Sequence, residues 1–174
     1  MLSCLRSLKR EISEFDSAIA MSVNFFQRGG GWVLSQFGLA LALVVCVTLW
    51  HGEWTNRPAT ALGSFLLTVS ALCALAGFAT LGRGLTPFPK PSPSAQLVRT
   101  GIYRLMRHPL YTAVFCGAVG WALVRRSWPA LAIALTFAPF FDAKARREER
   151  WLRQQFPEYV HYERQVRRFL PWIY

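Results

Sequence analysis

The chain has 174 residues but only four cysteines and three histidines. Cys4, Cys46, Cys73 and Cys116 lie far apart, with no spacing that suits a zinc site or a disulfide framework. The last three fall in apolar stretches, where a free thiol behaves as a small hydrophobe. Acidic residues are scarce too: nine Asp and Glu stand against twenty Lys and Arg, a formal net charge of +11. Charge of either sign is missing altogether from residues 32–50 and 60–81. A nucleic-acid-binding domain carries its cations as a patch or stripe on a polar surface, whereas here long apolar runs segregate them. The anionic partner implied is a lipid head group or a small anion, and nucleic acid is set aside. No internal repeat is present. No secretory leader is read either: Lys9, Arg10, Glu11, Glu14 and Asp16 stand where a leader ending at Ala18-Ile19-Ala20 needs an apolar core. Residues 1–30 read as an N-terminal cytoplasmic arm, with Met21 an alternative start.

What is present is apolar. The hydrophobic fraction is 53% and the mean hydropathy +0.24. That conflicts with the high net charge in a soluble domain, but not in a membrane protein whose charge collects in loops. Residues 32–50 carry Trp at both ends, as interfacial anchors do, and residues 60–81 are long enough to span. Residues 109–124 and 128–141 are shorter apolar runs separated by little more than Arg125, Arg126 and Ser127. The expected fold is an all-α integral membrane protein: four transmembrane helices, the last two a tight hairpin, followed by amphipathic cytoplasmic helices in residues 142–174. Residues 31–174 form its single domain. Pro139 is expected to bend the fourth helix near its end, and Pro157 to begin a second tail helix. Leu152, Phe156, Tyr159, Tyr162, Val166 and Phe169 recur every three or four residues, so the tail is expected to lie on the membrane surface with aromatics inward. Of the twenty Lys and Arg, only Arg57, Arg125 and Arg126 fall on the far side if both termini share one face, which makes that face cytoplasmic. The Pro87, Pro89, Pro91 and Pro93 segment enforces extended backbone, either as a flexible linker or as a stiff strap.

Chemistry concentrates in two places. Residues 97–111 include Arg107-His108-Pro109, where a basic loop meets an apolar run, and Glu148-Glu149 follows about forty residues later on a helix leaving the membrane. A cationic cluster facing a carboxylate at a membrane interface suits a small zwitterionic ligand. Taken singly, Arg107 also fits an interfacial anchor, and Glu148 and Glu149 among Arg146, Arg147, Arg150 and Arg153 a solvated salt-bridge face. His51 and His161 have no comparable context and read as surface residues.

Jointly, Leu97-Val98, Thr100-Gly101 and Tyr103, then Arg107-His108-Pro109 and Tyr111, Glu148-Glu149, Phe156-Pro157-Glu158-Tyr159, Tyr162 and Leu170-Pro171 resemble the isoprenylcysteine carboxyl methyltransferase and phospholipid methyltransferase group of membrane enzymes. The resemblance covers roughly residues 95–174 and implies S-adenosylmethionine as cofactor, held at the cytoplasmic surface, with a lipidic or lipidated acceptor. Carried over by position, Gln96, Leu97, Val98, Gly101 and Tyr103 form one wall of the cofactor pocket. His108, Pro109, Leu110 and Tyr111 form the next, and Arg107, His108 and Glu148 stand at the reacting centre. Arg107 and His108 suit the methionine carboxylate, and Glu148 the ribose hydroxyls or the amino group. Gly101 permits a tight turn, and Pro109 suits the first turn of a helix. Two positions depart from the family pattern: Ala95 stands where a histidine is common, and Lys144, with Arg146 nearby, where a substrate-side arginine is expected. Glu149, about 100° round the helix from Glu148, is expected to face solvent or the basic flank.

Two further readings share parts of this pattern. Sterol reductases of membranes carry a similar Arg-His-Pro segment and use NADPH, but they are far longer. A non-catalytic subunit that keeps the fold is the other, supported by Ala95.

The topology has a direct test. In a chain whose native cysteines are replaced by serine, Arg57→Cys and Ser127→Cys are expected to react with an impermeant maleimide added outside. Tyr174→Cys is expected to react only after the membrane is opened, and labelling of position 174 from outside would overturn the arrangement.

Overall fold

In the computed structural model the structure describes residues 25–52, 54, 56–84, 86–91, 96–171 and 173. The described residues form helices and no strands: α1 (Gly30–Leu49), α2 (Arg57–Leu81), α3 (Pro109–Arg125), α4 (Trp128–Gln155) and α5 (Tyr159–Gln165). The N-terminal arm lies almost wholly outside them, as does Ala95.

Local chemistry sets the helix starts. Asn56 Oδ1 accepts from the Ala59 N–H at 3.1 Å to cap α2, with Pro58 in its first turn. Ser127 Oγ does the same for Ala130 at 3.3 Å at the head of α4, where Pro129 follows. Pro109 opens α3, where its missing N–H has no helical acceptor to lose. Between α3 and α4 the chain reverses in two residues, with Arg126 held left-handed at φ 58°.

Helices α1 and α2 are 20 and 25 residues long and apolar enough to cross a membrane. Only 17% of the most apolar window of each is buried within the protein. Side chains such as Phe37, Leu41, Phe65 and Leu75 point outward, as they do on a lipid-facing side.

Small residues bring the helices together. A Cβ built on Gly63 of α2 would lie 2.8 Å from the Gly120 carbonyl of α3, and one on Gly120 would lie 2.8 Å from the Gly63 carbonyl. Further along the seam Ser70 Oγ donates to the Ala113 carbonyl at 2.7 Å, and Leu110 fills the space over Gly77. Close backbone approach of this kind maximises van der Waals contact where no hydrophobic effect drives helix pairing. The main core joins Leu43 and Val47 of α1, Ala118 and Ala122 of α3, and Ala130, Ala134, Phe137 and Phe141 of α4.

Two expectations change, and the choice left open for the proline segment is decided. Helix α4 does not end near residue 141 but runs unbroken through Pro139 to Gln155; the hydrophobicity ends at Phe141 while the helix goes on. Helix α5 begins at Tyr159 rather than Pro157. The proline segment is a strap, with Pro89 fully buried and Phe88 packed on Phe25 at 5.5 Å between ring centres.

The tail then turns back on the head of α3. Arg107 and His108 N–H groups donate to the Arg167 and Arg168 carbonyls at 2.9 and 3.0 Å. Thr112 Oγ1 donates to the Phe169 carbonyl at 3.1 Å.

Gly120→Leu is expected to lower the melting temperature of detergent-purified protein by several degrees, since overpacking costs about 1–3 kcal/mol. Gly38→Leu, where a Cβ meets nothing within 4 Å, is expected to leave it unchanged. Equal melting temperatures for the two variants would remove the seam from the account.

Candidate active site

A cavity of about 160 Å³ opens where the strap, the segment after it, the head of α3 and the charged half of α4 converge. Gln96, Leu97, Val98 and Tyr103 line one side, Arg107, His108, Leu110 and Tyr111 the next, and Glu148 faces them. Two members of the expected set stand back. Pro109 is buried in the helix head, and Gly101 turns the chain at φ +55° against Thr80, where a Cβ would lie 2.6 Å from the threonine hydroxyl.

The strap residues Phe88, Pro89 and Pro91, with Leu152, Phe156 and Tyr159, line the cavity as well. Leu152 and Phe156 lie four and eight positions after Glu148, so helical spacing alone places them on its face. The strap carries no such signal; only its buried proline shows that it is a wall.

Tyr111 organises the polar edge. Its hydroxyl donates to Glu148 Oε2 at 2.6 Å. Its ring stacks parallel to His108 at 5.2 Å and to Phe141 at 4.8 Å. Lys144 Nζ lies 5.1 Å from the ring centre.

Glu149 reverses the expectation made for it. It is 1% exposed, with Arg107 Nη2 at 3.0 Å, His108 Nε2 at 3.2 Å and Arg168 Nη2 at 2.7 Å. Burial alone pushes its carboxyl upward, but the His108 and Arg168 hydrogen bonds and the His108 and Arg107 charges outweigh that and hold it at about 2. The two glutamates diverge by one helical step, Glu148 toward the cavity and Glu149 toward the returning tail. Glu149 faces protein because the tail supplies Arg168, which no helical period could announce.

The two cations expected on the substrate side lie away from the cavity lining. Lys144 is 1% exposed, and its ammonium donates to Gln36 Oε1 at 2.5 Å and the Pro87 carbonyl at 3.4 Å. Burial lowers its pKa, against the opposing pull of Glu148. It ties α1 and the strap to α4 and does not line the cavity. Arg146 is 61% exposed and pairs with Asp142 at 2.7 Å. His161 is exposed, beside Gln165 at 2.9 Å, as expected.

Two buried polar atoms of cavity-lining residues have no partner among the described residues, Arg107 Nε and the Tyr159 hydroxyl. The rest of the Arg107 guanidinium is engaged with Glu149 and with Glu163, whose carbonyl accepts from Nη1 at 2.9 Å. Burial pushes the Tyr159 hydroxyl well above its ordinary pKa, so it remains a neutral donor.

A family model described as phospholipid methyltransferase matches residues 58–159, more than half of the chain. The chain belongs to that family. It is 35% identical over 135 residues to the nickel-cobalt-cadmium resistance protein NccN of Alcaligenes xylosoxydans xylosoxydans, covering 76% of this chain and 61% of that one. It is 30% identical over 122 residues to the protein-S-isoprenylcysteine O-methyltransferase of Saccharomyces cerevisiae, covering 68% and 51%. The chain therefore spans between half and two thirds of the length of these relatives. In fold it is similar to the eukaryotic intramembrane Ras methyltransferase ICMT, with a TM-score of 0.56 at 21% identity over 83% of this chain and 53% of that one.

Glu149 is expected to govern acid stability. Its folded pKa of about 2 lies below the ordinary 4.5, so its contribution is complete above about 4.5 and is lost as pH falls toward 2. Glu149→Gln is expected to lower the melting temperature at neutral pH and to flatten its fall across that window. Glu149→Ala is expected to cost roughly 3–5 kcal/mol, as does stripping one partner from a buried ion pair. Melting curves unchanged in either variant would contradict the geometry.

Proposed function

We propose that this chain is an integral-membrane methyltransferase that uses S-adenosylmethionine and acts on a lipidic or lipid-anchored acceptor. Family membership supports the chemistry. The observation that carries the cofactor is the pair of unpartnered donors, Arg107 Nε and the Tyr159 hydroxyl, beside a cavity that also presents the Glu148 carboxylate. Two donors and a separate acceptor fit a ligand with a carboxylate at one end and an ammonium or hydroxyls elsewhere. When bound, S-adenosylmethionine supplies a methyl group already activated on a sulfonium.

The chain's own residues then have three tasks. Glu148, Arg107 and Tyr159 bind the polar ends. Tyr111, clamped between His108 and Phe141 and bonded to Glu148, holds the edge of the cavity in one orientation. Leu97, Val98, Leu110 and the strap exclude water. Methyl transfer needs an in-line, desolvated approach more than an acid or base, so positioning and dryness supply most of the effect. The Arg107 Nη2 and His108 Nε2 contacts to Glu149 hold the site in shape, which leaves Arg107 Nε as the donor offered to a ligand.

The membrane arrangement belongs to the same proposal. Helices α1, α2 and α3 and the apolar half of α4 cross the bilayer, the last two as a tight hairpin. The charged half of α4, the tail and the cavity lie at the cytoplasmic face, with both termini, and residues 31–174 form one domain. The outward apolar faces of α1 and α2 let an amphiphilic acceptor approach through lipid. With Lys144 and Arg146 outside the cavity lining, no described residue there singles out a carboxylate acceptor over an amine. A nicotinamide reductase reading is not favoured. Arg107 and His108 are the only basic groups among the described lining residues, and both already meet Glu149, so the one open Arg107 donor suits a single carboxylate better than the several phosphates of NADPH.

Calorimetry on purified protein is expected to show S-adenosylmethionine binding and no NADPH binding; the opposite result would overturn the proposal. Glu148→Gln and Tyr159→Phe are each expected to weaken cofactor affinity by about tenfold, the loss of one hydrogen bond to a charged group. Tyr159→Phe removes a hydroxyl with no partner among the described residues, so its melting temperature is expected to match the parent.

A further inference from the structure

A second concavity, an open groove of about 670 Å³, lies on the other side of the strap between the head of α1 and the middle of α4. Trp32, Phe140 and Trp151 form its apolar sides, and Arg147 and Arg150 stand on it. Neither arginine has a carboxylate partner among the described residues. Arg147 lies over the Trp151 ring at 4.8 Å, and no acid lines the groove among the described residues. The carboxylates of α4 are turned elsewhere: Asp142 to Arg146 and Arg168, Glu148 to Tyr111, and Glu149 to Arg107, His108 and Arg168.

The level of the groove is set by both helices. The chain passes here from Arg28 into the uncharged run of α1, and α4 passes from its continuous apolar run, which ends at Phe141, to its charged half. Lipid phosphates lie at such a boundary, where tryptophan side chains gather. Below the arginines, Gly31, Ser35 and Gly38 follow one face of α1, and a Cβ on Gly31 or Gly38 would meet nothing within 4 Å. That leaves a furrow along the helix toward the membrane interior.

We propose that this groove binds an anionic phospholipid, its phosphate between Arg147 and Arg150 and an acyl chain along the furrow. This lipid is distinct from the methyl acceptor. Between the groove and the active cavity stands a thin wall: a Cβ on Gly29, at φ +89°, would lie 2.7 Å from Pro89 and 3.5 Å from Trp151. Pro89 lines the cavity on the other side. The bound lipid therefore braces the strap from behind.

The test is native mass spectrometry of the full-length protein incubated in detergent with equal amounts of phosphatidylglycerol and phosphatidylcholine. The parent is expected to retain one phosphatidylglycerol in preference. Arg147→Gln with Arg150→Gln is expected to cut that retention about tenfold or more, the scale for two basic residues at an anionic surface. Gly31→Leu, which fills the furrow without touching charge, is expected to lower it as well. Arg125→Gln with Arg126→Gln, at the opposite end of the helices, is expected to leave it intact, and millimolar inorganic phosphate is expected not to displace the lipid. Equal retention in the two arginine pairs, no preference in the parent, or displacement by phosphate would each overturn the proposal. So would lipid retention gained only when residues 1–24 are removed, which would assign the groove to that segment. Cofactor titration is read separately, so failure here and failure of the methyltransferase reading are distinguishable.

Discussion

One buried carboxylate holds the charged half of the molecule together. Glu149 gathers Arg107, His108 and Arg168 around two oxygens in a place almost without solvent. Desolvating a carboxylate is costly, and it persists only where partners satisfy its lone pairs. The three partners come from the segment before α3, the cap of α3 and the returning tail. With Glu149 on α4, that single charge joins the Arg107-His108 pair, α4 and the tail, three stretches well apart in the sequence. The pairing of the Arg107 and His108 N–H groups with tail carbonyls continues the same junction in the backbone.

From that junction the cavity lined by Glu148 inherits its order. His108 is held from one side by Glu149 and stacks on Tyr111 on the other, and Tyr111 in turn reaches Glu148. A chain of fixed rings and carboxylates therefore runs from a stability element to the cavity edge. The division of labour between adjacent glutamates follows: Glu149 is consumed in holding the fold, which leaves Glu148 exposed enough to meet a ligand. The apolar half of the lining and the strap keep the same space dry, which strengthens each polar contact made inside it.

The apolar half of the molecule obeys a different constraint. Helices in lipid gain little from the hydrophobic effect against one another, so glycine and serine bring α2 and α3 into backbone contact. Large side chains are left to face outward. This seam carries the head of α3, with His108 and Tyr111, to its place under the strap. Lys144 closes the arrangement by bonding α1 and the strap from within α4, a structural use of a cation whose position suggested contact with a substrate.

Much of this was legible before any coordinates. Uncharged runs marked α1 and α2, because a long stretch without charge is hard to place outside lipid. The proline and polar punctuation marked the head of α3 and the short turn before α4, and the grouped motifs marked nine residues that line the cavity. The end of α4 was not legible, since hydrophobicity stops at Phe141 while the hydrogen-bonded helix does not. Glu149 was misread for a physical reason as well. Helical period gives the angle between neighbours but not what stands opposite each face, and the tail that covers Glu149 folds back from nearly twenty residues away. The same holds for Lys144, whose partners Gln36 and Pro87 are distant in the chain, and for the strap, whose prolines specify extended backbone but not what it lies against. Sequence by itself determined helix, apolarity and the kinds of chemistry available. Only tertiary structure decided which charges are spent on one another and which remain for a ligand, because burial and pairing are properties of what long-range folding brings together.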